Sequence, residues 1–497
     1  MDVADFFDTI SSIVWSPPLI YLCLGAGLYF SIRTRLVQLR RIPDMVRLTF
    51  TGEKSEGGVS SFQALAMSLA GRIGTGNIAG VATAIAFGGP GAVFWMWTVA
   101  FFGASTAFVE SVLGQIYKER DHLGNYRGGP AYYIEKCMRQ KWYALLFAGV
   151  TVVATGLLLP GIQTNSISGS IENAWGIPPW VTAIGLVIAL AFIILGGVKR
   201  IAAFASVVVP FMAVAYIVLA LVIVFANAAQ VPEVFRLIFS SAFGLEAGFG
   251  AIVGMAVEWG VRRGVYSNEA GQGTGPHAAA AAEVSHPAKQ GLVQAFSVYI
   301  DTLFVCSATA FLLLSTGIYR VWDGGSTDGT LLYDGIRSDV EVGPAFTQAG
   351  FDSLLPGAGA SFVAVSIAFF AFTTVVAYYY MAETNLNYFM RNVASMRVER
   401  ICWRLLQAFF LVAAATGAVI TATEAWTLGD IGVGLMAWLN IIAILIIQRP
   451  ALVALRDYER QTKAGVDPTF DPVALNIKGA AFWERADDAE VARTPGA

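Results

Sequence analysis

Charge is what this chain has least of. Only 13% of its 497 residues are Asp, Glu, Lys or Arg, against 56% that are hydrophobic, and a soluble enzyme carries about twice that charge fraction. Histidine and cysteine are scarcer still, at three and four residues. Cys23, Cys137, Cys306 and Cys402 are scattered along the chain, so no disulfide framework is implied. No H-E-x-x-H, G-x-S-x-G or G-x-x-x-x-G-K-[ST] occurs, which removes zinc-protease, serine-hydrolase and P-loop chemistry. The net charge of −3, with its basic residues dispersed over short loops, gives no face for nucleic acid. The N-terminus, MDVADFFDTI, lacks the basic region and small-residue cleavage site of a signal peptide, so the first apolar segment is expected to be retained.

What the chain has in quantity is long apolar runs. Taking about 20 residues per crossing, eleven are expected, at roughly 13–32, 60–88, 91–116, 143–170, 179–196, 204–226, 245–264, 289–317, 359–388, 402–421 and 428–447. The fold class is therefore an all-α polytopic membrane protein. With the N-terminus outside and the C-terminus inside, 28 of the 32 Lys and Arg fall in inner segments, as the positive-inside rule requires. The outer loop from Ile318 to Pro356 is acidic and Gly-rich, and the basic-apolar segment 33–58 is expected along the inner interface.

Setting the first crossing aside leaves ten. Five and five, with an odd number in each unit, make the second unit run opposite to the first: an inverted repeat. The expected divisions are 1–58 (N-terminal helix and interfacial segment), 59–227 and 228–447 (the two repeats) and 448–497 (an inner tail). The leading crossing of each repeat is interrupted by glycine, Gly71, Gly74, Gly76 and Gly80 in one and Gly248, Gly250 and Gly254 in the other. A helix broken at mid-depth must place its freed amides and carbonyls against protein or a watery cavity. There they serve as ligands for a polar solute and its coupling ion.

Gly74, Thr75, Gly76 and Asn77 form the sharpest constellation. The glycines permit a non-helical backbone and close approach of a ligand, the amides of Thr75 and Gly76 can meet a carboxylate, and the Asn77 amide oxygen suits a hard cation. A small-residue packing face is the alternative. Arg72, in the same crossing, is costly in lipid; it either acts in gating or coupling or pairs with Glu110, Asp301 or Glu383. Glu110 and Asp301 are gate or pathway candidates, or paired structural carboxylates. Glu258 is expected to pair with Arg262 and Arg263 at the inner mouth, Asn268 and Glu269 to cap a helix or gate, and His277 and His286 to lie at the interface.

The strings GRIGTGNIAGVATAIAFGGPGAVFWMW (from Gly71), YSNEAGQGTGPHAAAAA (from Tyr266) and HPAKQGLVQAFSVYIDT (from His286) resemble the alanine or glycine:cation symporter family, with similarity from about Trp15 to Asp471. The resemblance implies a leucine-transporter-like fold and uptake of a small neutral amino acid with Na⁺. It implies substrate contacts at Gly74, Thr75, Gly76 and Gln163, and a second helix break at Gly248, Phe249 and Gly250. It also implies Na⁺ ligands at Ala70, Ile73, Asn77, Thr373 and Thr374. Where the family often has Gly-Trp, this chain has Ala377 and Tyr378, which puts Tyr378 in the pocket and bears on substrate choice. A larger neutral amino acid such as glutamine, or H⁺ coupling, is the alternative; a channel fits less well, since it wants a repeated filter. The partners implied are the substrate and the bilayer of a bacterial plasma membrane, with the oligomeric state open.

Overall fold

The computed structural model describes residues 3–50, 58–122, 124–245, 249–335, 340–353, 355–391, 393 and 395–484. Seven of its helical stretches are long and apolar enough to cross a membrane, and two shorter apolar helices, Gly76–Gly88 and Pro179–Ile194, accompany them. The protein is thus a mostly helical, polytopic membrane protein.

The chain opens with α1 (Val3–Val14) and α2 (Pro17–Arg33), then two short helices, α3 (Val37–Arg40) and α4 (Ile42–Phe50). Next come α5 (Ser61–Arg72), a π-helical stretch at Gly76–Gly80 leading into α6 (Val81–Gly88), and α7 (Gly91–Ile116). After a small hairpin (β1 Glu119–Arg120, β2 Tyr126–Arg127) and α8 (Pro130–Tyr133), the pair α9 (Lys141–Val153) and α10 (Leu159–Trp175) are joined by another π turn. The first half closes with α11 (Pro179–Ile194) and α12 (Gly197–Ala226).

The second half begins with α13 (Val231–Ala242), α14 (Val253–Asn268) and α15 (Gly275–Ala281), followed by α16 (Pro287–Tyr299) and α17 (Ser307–Thr316) with a π stretch between them. A hairpin (β3 Arg320–Trp322, β4 Leu331–Asp334) and α18 (Pro344–Asp352) lead to the long helices α19 (Gly359–Met390), α20 (Met396–Gly417) and α21 (Ala422–Ile447). The chain ends on α22 (Arg449–Lys463) and a strap running to Glu484.

Local chemistry sets several of these boundaries. Ser60 with Gln63, and Thr421 with Glu424, form capping boxes that start α5 and α21. Proline in the first turn opens α2, α10, α11, α13, α15 and α16, where its missing N–H costs nothing. Burial then sorts the helices. From Gly103 to Ile116, α7 is wholly buried, whereas α11, α12 and α20 expose Ile188, Phe192, Phe211, Val214, Phe409 and Val412. An apolar exposed belt of that extent is a lipid-facing surface.

The bundle has two ends. One carries the hairpin and α18 of the acidic 318–356 loop; Trp322 there packs on Phe87 and Phe346. The other, the basic end, brings together Val59, Lys118, Ala282, Lys289 and the C-terminal strap. Val59 pairs with Ala282 as a β-bridge, the Lys289 ammonium meets Asp467 at 2.8 Å, and Trp483 Nε1 donates to the Gln115 carbonyl at 3.0 Å.

Candidate functional site

The first break lies between α5 and the π stretch. Ile73 leaves the helix with φ −77° and ψ 93°, so the turn that follows cannot pair its amides along the helix. Both are taken by side chains. Gly74 N donates to Asn77 Oδ1 at 2.8 Å, and Thr75 N to Gln163 Oε1 at 3.0 Å. Gln163 in turn donates from Nε2 to the Tyr266 hydroxyl at 3.0 Å, and the buried Tyr378 hydroxyl interacts with both. Gln163 from α10 and Tyr378 from α19 therefore meet the break as expected. The Gln163 amide oxygen occupies the Thr75 N–H, a backbone donor that a carboxylate oxygen could take in its place. Gly76 faces elsewhere: a Cβ there would lie 3.1 Å from Ser267 Cα and Tyr266 Cδ1, so its close approach is to α14.

Beside this break is an excess of carbonyl oxygens. Thr374 Oγ1 lies 2.8 Å from Ala70 O, 3.3 Å from Ile73 O and 3.0 Å from Phe370 O. A hydroxyl has one proton, so it can satisfy only one of the three. Phe370 O also accepts from Thr373 within α19, so the oxygens left over are those of Ala70 and Ile73 at the break, and with Thr374 Oγ1 they form a cradle that a hard cation would complete. A Cβ on Gly74 would collide with the same Thr374 hydroxyl, which fixes glycine at that position. Thr373 is less engaged: its hydroxyl donates only to Phe370 O, at 2.8 Å on its own helix.

Asn77 also ties the break to a buried carboxylate. Its Nδ2 donates to Asp301 Oδ1 at 2.6 Å, while Ser267 Oγ and Thr302 Oγ1 reach Asp301 Oδ2 at 2.9 and 2.7 Å. Thr309 donates to the Asn77 carbonyl at 2.7 Å. Asp301 is therefore the focus of three donors from three segments, and Ser267, Thr302 and Tyr266 are site residues that sequence reasoning passed over.

The expected second break at Gly248, Phe249 and Gly250 is not where α14 unwinds. Gly248 lies outside the described residues. Phe249 is buried against Gly89 in a cluster with Ile85 and Ile252, at the acidic-loop end and ahead of α14, and Gly250 begins a short 3₁₀ turn. The interruption is instead at Glu269–Thr274. Glu269 closes α14 in the left-handed conformation with φ 58°, Gly271 and Gly273 have φ of 84° and 87°, and α15 resumes at Gly275. Left-handed backbone is where glycine is needed, and NEAGQGTGP, with three glycines and a proline, carried that signal. It lies beyond the crossing expected at 245–264, behind the Arg262–Arg263 pair, where hydropathy alone marks the end of a membrane segment. Asn268 and Glu269 do not cap a following helix with their side chains: Asn268 Oδ1 accepts from Ala270 N at 3.0 Å in the turn that ends α14, and α15 starts after Thr274 with no side-chain cap. The two breaks touch, since a Cβ on Gly71 would lie 3.2 Å from Glu269 Oε2.

Three charge assignments change with this geometry. Arg72 forms no ion pair with Glu110, Asp301 or Glu383. Its Nη1 donates to the Gln294 carbonyl at 3.0 Å and to the Ser297 hydroxyl, because α16 packs along that face of α5. Glu110 instead receives Gly271 N at 3.3 Å and Asn440 Nδ2 at 2.7 Å, and Glu383 pairs with Arg127 at 2.5 Å. Arg262 and Arg263 are not at the basic end. They lie on α14 between its start at the acidic-loop end and the break at Glu269, and both bind Asp430 of α21, at 2.7 and 2.9 Å, with Arg263 4.1 Å over the Trp426 ring. Glu258 forms no ion pair among the described residues. A cavity of about 590 Å³ lies toward the same end, lined by Asn165, Gly169, Glu172, Glu341 and Asp352 among others.

Neither of the two expected interfacial histidines is exposed. His277 is buried between the Thr274 carbonyl and Asn385. His286 caps α16 through Nδ1 and packs on Tyr458 and Phe470; burial pushes its pKa below the ordinary 6.5. Lys118, at the same end, donates to Ala282 O at 2.7 Å within a ring of Tyr126, Phe482 and Trp483, and burial pushes its ammonium down to about 7.

A family model described as "Sodium:alanine symporter family" matches residues 1–472. The carrier protein YrbD of Bacillus subtilis is 59% identical over 485 residues, covering 97% of this chain and 98% of the relative. The "Sodium/proton-dependent alanine carrier protein" of Bacillus sp. (strain PS3) is 52% identical over 88% of this chain and 97% of its own length. The "Probable sodium/glutamine symporter GlnT" of Bacillus subtilis is 40% identical over 96% and 95%.

Proposed function

The chain belongs to the sodium:alanine symporter family, and from that premise we propose that it couples uptake of a small neutral amino acid, alanine or glycine, to Na⁺ by alternating access. The observation that carries this reading is the first break. Three carbonyl oxygens converge on the single Thr374 hydroxyl, and one turn away a backbone amide is held by a side-chain oxygen that a carboxylate can replace. In this reading Na⁺ sits among Ala70 O, Ile73 O and Thr374 Oγ1, with Thr373 beside it. Asn77 and Asp301 form a second cation position next to the substrate. The substrate carboxylate displaces Gln163 from Thr75 N, and Tyr266 and Tyr378 bound the pocket. Arg263 and Asp430 act as the gate on the acidic-loop side.

The remaining architecture follows the sequence pattern. The chain crosses a bacterial plasma membrane eleven times, N-terminus outside and C-terminus inside, with inverted units at 59–227 and 228–447. Loss of Arg262 and Arg263 from the inner count leaves the basic asymmetry in place. The relatives' names keep two alternatives open to test, proton coupling and glutamine as substrate. Uptake of labelled alanine, glycine and glutamine into proteoliposomes is measured with an inward Na⁺ gradient, with choline in its place, and with a pH gradient alone. Alanine or glycine uptake that requires Na⁺ is expected. Uptake unchanged in choline at constant pH overturns Na⁺ coupling, and a preference for glutamine overturns the substrate.

A further inference from the structure

Next to the second break the protein buries two opposite charges that do not pair. Arg72, 1% exposed, has no partner for Nε or Nη2, and the carboxylate of Glu269, 0% exposed, has only the neighbouring Thr274 hydroxyl near it and makes no well-formed hydrogen bond. The side-chain amides of Gln272 and Gln290 nearby are equally without partners. These groups share one neighbourhood. The Glu269 carboxylate lies against Gly71, the residue before Arg72, and a Cβ on Gly275 would lie 2.8 Å from Arg72 Nη2. Gln294, whose carbonyl accepts from Arg72, is one helical turn from Gln290. Orphaned charges are costly to bury, so a partner that enters and leaves is the account that fits a transport protein.

An amino-acid zwitterion carries the complementary pair. Its carboxylate can accept from Nε and Nη2, the free edge of the guanidinium, in the bidentate manner Arg favours. Its ammonium can donate to the open oxygens of Glu269. We propose that Arg72 and Glu269 form a release subsite for the zwitterionic substrate, between the central site and the basic end; the inference rests on the amino-acid transport reading above. Its depth follows from α16, which starts at the basic end and presents Gln290 and Gln294 before it reaches Asp301. Beneath the subsite the basic end is shut: Val59 N donates to Ala281 O at 3.0 Å, Glu283 N to Val59 O at 3.1 Å, and Lys118 to Ala282 O at 2.7 Å.

The test compares half-saturation for alanine from each side of the membrane, in right-side-out and inside-out vesicles. The double variant Arg72→Gln, Glu269→Gln removes both charges together, so neither is left orphaned in the fold. It is expected to raise the half-saturation from the inner side about tenfold, with the outer-side value and the Na⁺ dependence within twofold. Gln290→Leu, which breaks no hydrogen bond, is expected to raise the same inner-side value about two- to threefold. An unchanged inner-side value in both variants overturns the subsite, and an equal rise on both sides assigns the pair to the central site instead. Should neither variant fold, alanine bound per chain by the unaltered protein in saturating Na⁺ answers the same question: two supports the subsite and one overturns it. Absence of Na⁺-driven alanine transport in the unaltered protein overturns the transport reading itself, and the subsite with it.

Discussion

The two helix breaks are the same device used in opposite ways. At the first, between Arg72 and Gly76, the freed backbone amides have protein partners: Gly74 N is held by Asn77, Thr75 N by Gln163, and the Ala70 and Ile73 carbonyls surround Thr374. At the second, Glu110 and Asn440 hold only the Gly271 backbone; the rest of the turn relies on glycine in left-handed backbone, and Glu269, Gln272 and Thr274 keep more polar atoms without a hydrogen-bond partner than Thr75 does at the first. A break wired by side chains has a defined geometry, as a selective ion and carboxylate site needs. A break held by glycine conformation and left with open polar groups can change partners during a cycle.

The largest effect is expected from cutting the wiring of the first break. Asn77→Ala removes the partner of Gly74 N and a donor to Asp301 at once, about 3 kcal/mol or more when one of the bonds is charge-assisted. Na⁺-dependent uptake should fall at least 100-fold with the protein still inserted, and uptake near the unaltered level would break the comparison. The paired threonines sharpen it. Thr374→Val should raise the half-saturating Na⁺ concentration about tenfold, and Thr373→Val, whose hydroxyl donates only within its own helix, about twofold. Equal shifts would show that both hydroxyls bind the ion.

Smaller effects are expected where backbone conformation or support is altered. Gly271→Ala or Gly273→Ala places a side chain in left-handed backbone at about 1–2 kcal/mol each, which thermal unfolding in detergent should register. Gly254→Ala, where a Cβ would meet nothing within 4 Å, should leave stability and uptake unchanged. If Gly254→Ala were the more damaging, the break would belong upstream after all. The smallest effect is common to both breaks. His286 caps α16, which carries Gln294 and runs into the π stretch holding Asp301, and burial holds its folded-state pKa below 6.5. As pH falls below 6.5 the unfolded chain binds a proton that the folded chain refuses, so stability present above 6.5 declines. His286→Gln should flatten the melting temperature over that range, and an unchanged slope would remove His286 as its cause.

Much of this was legible before any coordinates. The helices expected at 91–116 and 359–388 appear as Gly91–Ile116 and Gly359–Met390, because uninterrupted apolar runs leave a chain in lipid no alternative to helix. The first break was legible for the same reason: Gly-Thr-Gly-Asn is polar and conformationally free where the surroundings are neither. The second was misplaced because glycine marks both breaks and packing contacts. Gly248–Gly250 and Gly271–Gly275 look alike in a string, and the adjacent arginines suggested that the membrane had already ended. Asp430, 167 residues from Arg263, is what keeps those arginines inside the fold, and no local pattern announces it.

The sequence by itself determined the environment, the helical class and the residues of the first break, since hydropathy, charge distribution and backbone permissiveness are properties of short segments. Only the tertiary structure decided which side chains complete each site. That Thr374 rather than Thr373 meets the Ala70 and Ile73 carbonyls, that Gln163 covers Thr75, and that Arg72 lies beside Glu269 without pairing all depend on how helices distant in sequence pack. Hydrogen bonds and ion pairs are short and directional, so their partners are fixed by a few ångströms of packing that composition and spacing do not encode.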